Sequence, residues 1–230
     1  MKEKIYTIPV NEAFEKECSC PFCAIYTTLE KDFVDFTLGP SYMESYIRDK
    51  TNKYGFCKTH YDMMTKGNNF LGLSLMSKSH LKEVINNIEA TSKLEPKNKL
   101  FTKGTIEPLS TYLSELENTC YICEGIEKTF NLYIDTFFYL YKNDPSFKYK
   151  IKGFCLSHFN MLVAKSYTTL KPKDFFEFKT YITEIELKVL NTLYEDLELY
   201  SNKFDYKFKD IPYGNSKTSI SRTYTTFYKS

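Results

Sequence analysis

Gly55-Phe56-Cys57-Lys58-Thr59-His60-Tyr61-Asp62-Met63-Met64 returns 98 residues later as Gly153-Phe154-Cys155-Leu156-Ser157-His158-Phe159-Asn160-Met161-Leu162. Five of these ten positions are identical, four are close replacements, and only Lys58 against Leu156 is unlike. A second motif precedes each block: Cys20-Pro21-Phe22-Cys23 and Cys120-Tyr121-Ile122-Cys123 lie 100 residues apart. Cys-x-x-Cys and Cys-x-x-His thus follow one another twice in the same order. Of seven Cys and three His, only Cys18 and His80 fall outside these pairs. The chain reads as an internal duplication, each copy carrying three thiols and one imidazole.

Three thiolates and one imidazole are the ligand complement of a closed tetrahedral zinc site. Residues i and i+3 of a first helical turn share a face, so both side chains of a pair can reach one ion. The free N–H groups and positive dipole end of a helix start also stabilise thiolate charge. The connection within each copy is 33 residues in the first and 31 in the second, which suits a helix out and a return. The expectation is therefore two zinc ions per chain, one on Cys20, Cys23, Cys57 and His60 and the other on Cys120, Cys123, Cys155 and His158. Loop closure favours this pairing, though only logarithmically. Each filled site carries a formal −1, which Lys58, Lys150 and Lys152 are placed in sequence to offset.

Other fates for these residues compete. Cysteine-rich sets also hold iron–sulfur clusters, sometimes with a histidine ligand, and this is the rival cofactor. An odd cysteine count and a start without an apolar signal segment argue against disulfides. Cys20-Pro21-Phe22-Cys23 alone looks like a glutaredoxin-type redox motif, but that chemistry needs a preceding strand and a βαβ setting. Cys18 reads as a buried structural thiol, and His80 as a structural or surface histidine on a helix.

The rest of the chain reads as helical. Asn11 is placed to cap a short helix through Glu17. Ile25, Leu29, Phe33 and Phe36 recur at helical spacing after the first pair, and Gly39-Pro40 ends that helix. Ser41 and Glu44 form a capping-box pattern before a helix to about Lys53, and Gly55 is the turn before Cys57. Leu71, Leu75, Leu81, Ile85 and Ile88 mark a longer helix that closes the first copy near Pro96. The second copy repeats the order and closes on Phe178, Ile182, Ile185, Val189, Leu193, Leu197 and Tyr200, a helix of about 40 Å. The fold class is all-α: two helical pseudo-repeats, 1–96 and 107–203, each organised around a Cys3His site. Residues 97–106 are the linker, and 204–230 an extended or mobile tail whose Lys217, Arg222 and Lys229 are placed to touch a partner.

Thirty-one basic against 29 acidic residues give a formal +2, so bulk charge does not mark a nucleic-acid or anionic-membrane binder. Binding of nucleic acid through the Tyr-rich basic tail remains a third reading. No run approaches the 18 apolar residues of a membrane span, and the expected address is cytoplasmic. Gly67 and Gly72 have P-loop spacing, but Leu73-Ser74 follow where Lys is required. Neither G-x-G-x-x-G, H-E-x-x-H nor G-x-S-x-G occurs, and no catalytic residue is assigned.

The paired motifs, Ile5-Tyr6-Thr7-Ile8-Pro9-Val10-Asn11-Glu12-Ala13-Phe14 and Leu38-Gly39-Pro40-Ser41-Tyr42-Met43 resemble a bacterial family of unknown function, over most of the chain. The resemblance implies a bacterial, cytosolic protein and brings no mechanism. The functional expectation is a zinc-stabilised helical binding or scaffold protein, with a protein partner and without turnover.

Overall fold

In a computed structural model of the chain, residues 6–98 and 105–228 are described; Ile5, Lys229 and residues 99–104 of the linker lie outside them. The architecture is all-α, as the periodicity requires. In chain order the helices are α1 (Thr7–Glu15), α2 (Pro21–Leu38), α3 (Ser45–Tyr54), α4 (Lys58–Thr65), α5 (Phe70–Thr91), α6 (Pro108–Glu117), α7 (Tyr121–Asn143), α8 (Pro145–Lys148), α9 (Leu156–Thr169), α10 (Pro172–Asn202) and α11 (Ser219–Phe227). A minimal antiparallel pair, β1 (Lys97–Asn98) with β2 (Thr105–Ile106), brackets the expected linker.

The chain divides into two compact units whose boundaries differ from those of the sequence repeats. Unit 1 comprises the described residues of Met1–Thr27 and Phe130–Ser230, and unit 2 is Thr28–Thr129. The chain leaves unit 1 within α2 and re-enters it within α7, so each of these helices begins in one unit and ends in the other.

Unit 1 is built on phenylalanine. Phe14, Phe22, Phe137, Phe147, Phe154 and Phe178 are all fully buried. Phe14 lies 5.4 Å from Phe137 and 5.0 Å from Phe147 between ring centroids, and Phe137 meets Phe178 edge-on at 6.1 Å. Offset and edge-to-face pairs of this kind add about 0.5–1.5 kcal/mol each beyond area burial. The long α10 buries Phe178, Ile182 and Leu193 at the expected spacing, with Glu186 between them. Its 31 residues extend about 46 Å, a little beyond expectation.

Unit 2 has a core of aliphatic and Met side chains, with Leu29, Val34, Leu38, Ile47, Met64, Leu73, Met76, Ile122 and Ile126 buried. Asn69 caps α5 by accepting from Gly72 N–H at 2.9 Å, and its amide donates to the Leu38 carbonyl at 2.6 Å. One side chain thereby joins the end of α2 to the start of α5.

Several local expectations change. Asn11 lies inside α1 and donates to the Thr7 carbonyl, so the helix starts earlier than a cap at Asn11 implies. Ser41 does not cap α3; its hydroxyl donates back to Phe36 O from a 3-10 turn, and Glu44 takes the N-cap position. On α5 the residues facing the core are Gly72, Leu73 and Met76, whereas Leu71, Leu75, Leu81 and Ile85 are exposed. The helix that these residues mark is present, and they lie largely on its outer side. The tail is also ordered into 3-10 turns at Tyr206–Phe208 and Gly214–Thr218 and into α11, which buries Ser219 and Thr226 while exposing Ile220, Tyr224 and Phe227.

Phe137→Ala should cost about 3–5 kcal/mol in denaturant unfolding, the usual range for a fully buried Phe. Leu81→Ala should stay within about 0.5 kcal/mol, because its side chain already faces water. A Leu81 cost of core size would instead put that face against the core.

Candidate metal centres

All four ligand pairs open helices. Cys57 is the N-cap of α4 and Cys155 that of α9, both with extended backbone, while Cys20 and Cys120 immediately precede α2 and α7. The second member of each pair then falls in the first turn. At the start of α7 the Cys123 N–H points at Cys120 Sγ, 3.5 Å away. Gly55, at φ +57, makes the turn that sets up Cys57, and a Cβ there would meet the His80 ring 2.4 Å away. Its carbonyl accepts from Tyr121 N–H at 3.0 Å, which ties the approach to Cys57 directly to the approach to Cys123. His80 holds its own place by a 2.7 Å contact from Nδ1 to the Asn52 carbonyl, the structural role expected for it.

All eight candidate ligands gather into two groups of four, but in exchanged partnership. Cys20, Cys23, Cys155 and His158 form the group in unit 1, and Cys57, His60, Cys120 and Cys123 the group in unit 2, with every ligand atom of a group within 4.8 Å of the others. The within-copy pairing is overturned. Its premise was a helix out and an equal helical return, and the helices on the return are much shorter than those on the way out. Eighteen residues of α2 carry the chain about 27 Å onward, against 10 residues in α3; after the 23 residues of α7 only the four-residue α8 precedes Cys155.

Geometry within each group is close to tetrahedral. Bonds of about 2.3 Å to sulfur and 2.0–2.1 Å to nitrogen give tetrahedron edges of about 3.8 Å for S···S and about 3.5 Å for S···N. In unit 1 His158 Nδ1 lies 3.4, 3.4 and 3.2 Å from the sulfurs of Cys20, Cys23 and Cys155, and Cys23 and Cys155 are 3.6 Å apart. In unit 2 His60 Nδ1 lies 3.2, 3.4 and 3.3 Å from Cys57, Cys120 and Cys123, and Cys57 and Cys123 are 3.8 Å apart. Both groups can hold a metal ion.

The electrostatics agree. Contacts from the Cys155 and Cys23 thiols push the Cys20 thiol well up from its ordinary range, and burial with Cys120 alongside does the same to Cys123. Sulfurs this close resist shared negative charge, and a divalent cation among them reverses that balance. Two of the three expected lysine offsets are directed elsewhere: Lys58 pairs with Asp62, and Lys150 pairs with Glu15 at 2.7 Å. Cys18 is exposed, contrary to the expectation of a buried thiol.

Residues outside the motifs complete the surroundings, and sequence reading missed them. His60 Nε2 donates to Glu30 Oε1 at 3.2 Å, which fixes the tautomer and turns the Nδ1 lone pair toward the sulfurs. His158 instead packs against Phe22 and Phe130, with centroids at 5.8 and 5.6 Å, and its Nε2 is buried without a hydrogen-bond partner among the described residues. Glu186, on α10, accepts from Phe154 N–H at 3.1 Å and so holds the backbone just before Cys155. Burial, against the pull of that N–H and with Cys155 nearby, pushes its carboxyl up to about 7. A lone charged residue at position 186 inside an apolar period was the available signal.

The chain belongs to a family of unknown function (DUF6062), whose family model matches residues 1–229. Neither a curated protein nor a solved structure matches it. Among the described residues, no helix is long and apolar enough to cross a membrane.

Glu186→Ala should lose about 1–3 kcal/mol, since it leaves a buried N–H without its acceptor. Glu186→Gln keeps an acceptor oxygen and should retain more stability than the Ala variant in denaturant melts at neutral pH. Equal losses in both would mean that the contact to Phe154 does not matter.

Proposed function

We propose that this chain is a zinc-stabilised helical binding or scaffold protein with one structural zinc in each unit. The convergence of three sulfurs and one Nδ1 at tetrahedral edge lengths, twice, carries this reading. A closed Cys3His set gives the ion no position for substrate or water, so the metal would stabilise structure and would not act as a Lewis acid. The exposed apolar face of α5 supports a binding role over a catalytic one.

Spacing also supports zinc over the cluster alternative. An iron–sulfur cluster distributes its ligands over several irons with bridging sulfides between them, whereas all four ligand atoms of each group here lie within 4.8 Å, as around one ion. Mixed thiolate and imidazole ligation suits zinc. We also read the chain as an internal duplication in which each centre takes its Cys-x-x-Cys from one copy and its Cys-x-x-His from the other. That is the connectivity a swapped dimer of one copy would have if its two chains were fused.

Elemental analysis of protein purified without oxygen should find two zinc ions per chain and no visible absorbance; colour would favour the cluster. Cys57→Ser with Cys123→Ser should leave one ion, and Cys20→Ser with Cys57→Ser should leave none. Within-copy pairing predicts the reverse. Chelation should raise amide exchange first at the starts of α2, α4, α7 and α9, because a core this large is not built by metal alone. Loss of all protection together would instead make the ions essential to the whole fold.

A further inference from the structure

The two centres share a ligand set but not an environment. All four ligands in unit 1 are buried, whereas in unit 2 Cys57 is half-buried and Cys123 reaches solvent. Glu30, behind His60, and Phe130, against His158, stand 100 residues apart, the same offset that relates Cys20 to Cys120. At equivalent places one centre therefore has a carboxylate and the other a phenyl ring. A carboxylate hydrogen-bonded to a histidine ligand raises ligand basicity and adds negative charge to a set that is already a formal −1 when filled. Electron-rich thiolates that solvent can reach are the ones that two-electron oxidants attack.

Proximity alone does not distinguish the centres. Cys23 and Cys155 in unit 1 are 3.6 Å apart and Cys57 and Cys123 in unit 2 are 3.8 Å apart, so either pair is close enough to join. Access and charge make the difference. We propose that the Cys57 and Cys123 thiolates are an oxidation site for small hydroperoxides, and that the unit 1 centre keeps its ion under the same exposure.

The chemistry balances with the peroxide as oxidant. The Cys123 thiolate attacks one peroxide oxygen, the O–O bond breaks, and the sulfur becomes a sulfenic acid as the other oxygen leaves as hydroxide. The Cys57 thiolate then attacks that sulfur, the S–O bond breaks, and a second hydroxide leaves. Two protons convert both hydroxides to water, so two thiolates and one hydrogen peroxide yield one disulfide and two waters. The ion, left with Cys120 and His60, passes to solvent.

This inference rests on the two-zinc reading, and its test separates the two. The full chain loaded with zinc is assayed for metal content, then mixed with hydrogen peroxide and a chromophoric chelator, and its disulfides are mapped by mass spectrometry. One equivalent of zinc should leave at least about tenfold faster than the other, together with a Cys57–Cys123 disulfide. Glu30→Gln keeps a hydrogen-bond acceptor for His60 and removes the charge; with excess zinc it should slow disulfide formation by about tenfold. Cys123→Ser should abolish the fast phase, whether or not unit 2 still binds its ion. Fewer than two zinc ions at the outset would overturn the structural-zinc reading and this inference with it. Two ions leaving in one phase, a first disulfide at Cys23 and Cys155, a fast phase surviving in Cys123→Ser, or an unchanged rate in Glu30→Gln would overturn the oxidation site alone.

Discussion

Two points in the molecule each require two helices to begin there. Three sulfurs and one imidazole nitrogen lie within 4.8 Å of one another at each, and every ligand pair sits on the first turn of its helix. That requirement fixes the starts of α2 and α9 in unit 1 and of α4 and α7 in unit 2. Much of the remaining detail serves those starts. The positive φ at Gly55 turns the chain into Cys57, and the Gly55 carbonyl receives the N–H of Tyr121. Glu186 holds the backbone before Cys155 from α10, and Lys150 binds Asn11 and Glu15 of α1 on the same approach. Helix N-termini suit this task because their unpaired N–H groups favour thiolate charge.

What the sequence disclosed was local, and what it hid was relational. Spacing of three within a pair is a property of one helical turn, so the ligands and the helices they open were legible. Partnership between pairs was not. Separations of 132 residues between Cys23 and Cys155 and 60 between His60 and Cys120 look costly beside a 33-residue connection. Yet loop closure grows as the logarithm of length, and even the longer exchange adds only about 1.2 kcal/mol. Burying a single Phe is worth about 1.5–3 kcal/mol, and the unit 1 core buries six. Helix length and core formation therefore outweigh chain separation, and neither is visible in the spacing of cysteines.

The same limit explains α5 and α11. Periodicity says that a helix has two faces but not which one meets the core. Gly72 allows a close approach, so α5 buries its narrow face of Gly72, Leu73 and Met76 and leaves Leu71, Leu75 and Leu81 outside. In α11 the hydroxyls satisfy themselves on the preceding turn: Ser219 donates to Ser216 O at 2.7 Å, Thr223 to Ser219 O at 2.8 Å and Thr226 to Arg222 O at 2.8 Å. A Ser/Thr face whose donors are spent inside the helix can be buried without leaving polar groups unpaired. Arg222 adds a charged link to Asp196 of α10 at 2.5 Å. Composition read this segment as a tail because it scores hydroxyls as solvent-seeking, whatever their partners.

Exchanged pairing also bears on the duplication proposed above. Each group takes its Cys-x-x-Cys and its Cys-x-x-His from different halves of the chain, so neither half alone supplies a complete ligand set. The residues around the ligands differ between the two groups. Position 30 is Glu and position 130 is Phe, and position 22 is Phe and position 122 is Ile. The first difference gives His60 a carboxylate and His158 a ring, and the second places an aromatic beside His158 alone among these two positions. One centre is thereby drawn into an aromatic core while the other keeps a charged neighbour and a sulfur in contact with water. Dielectric and access thus differ between two groups whose ligand types are the same, and those are the properties that would separate a firmly held ion from a reactive one.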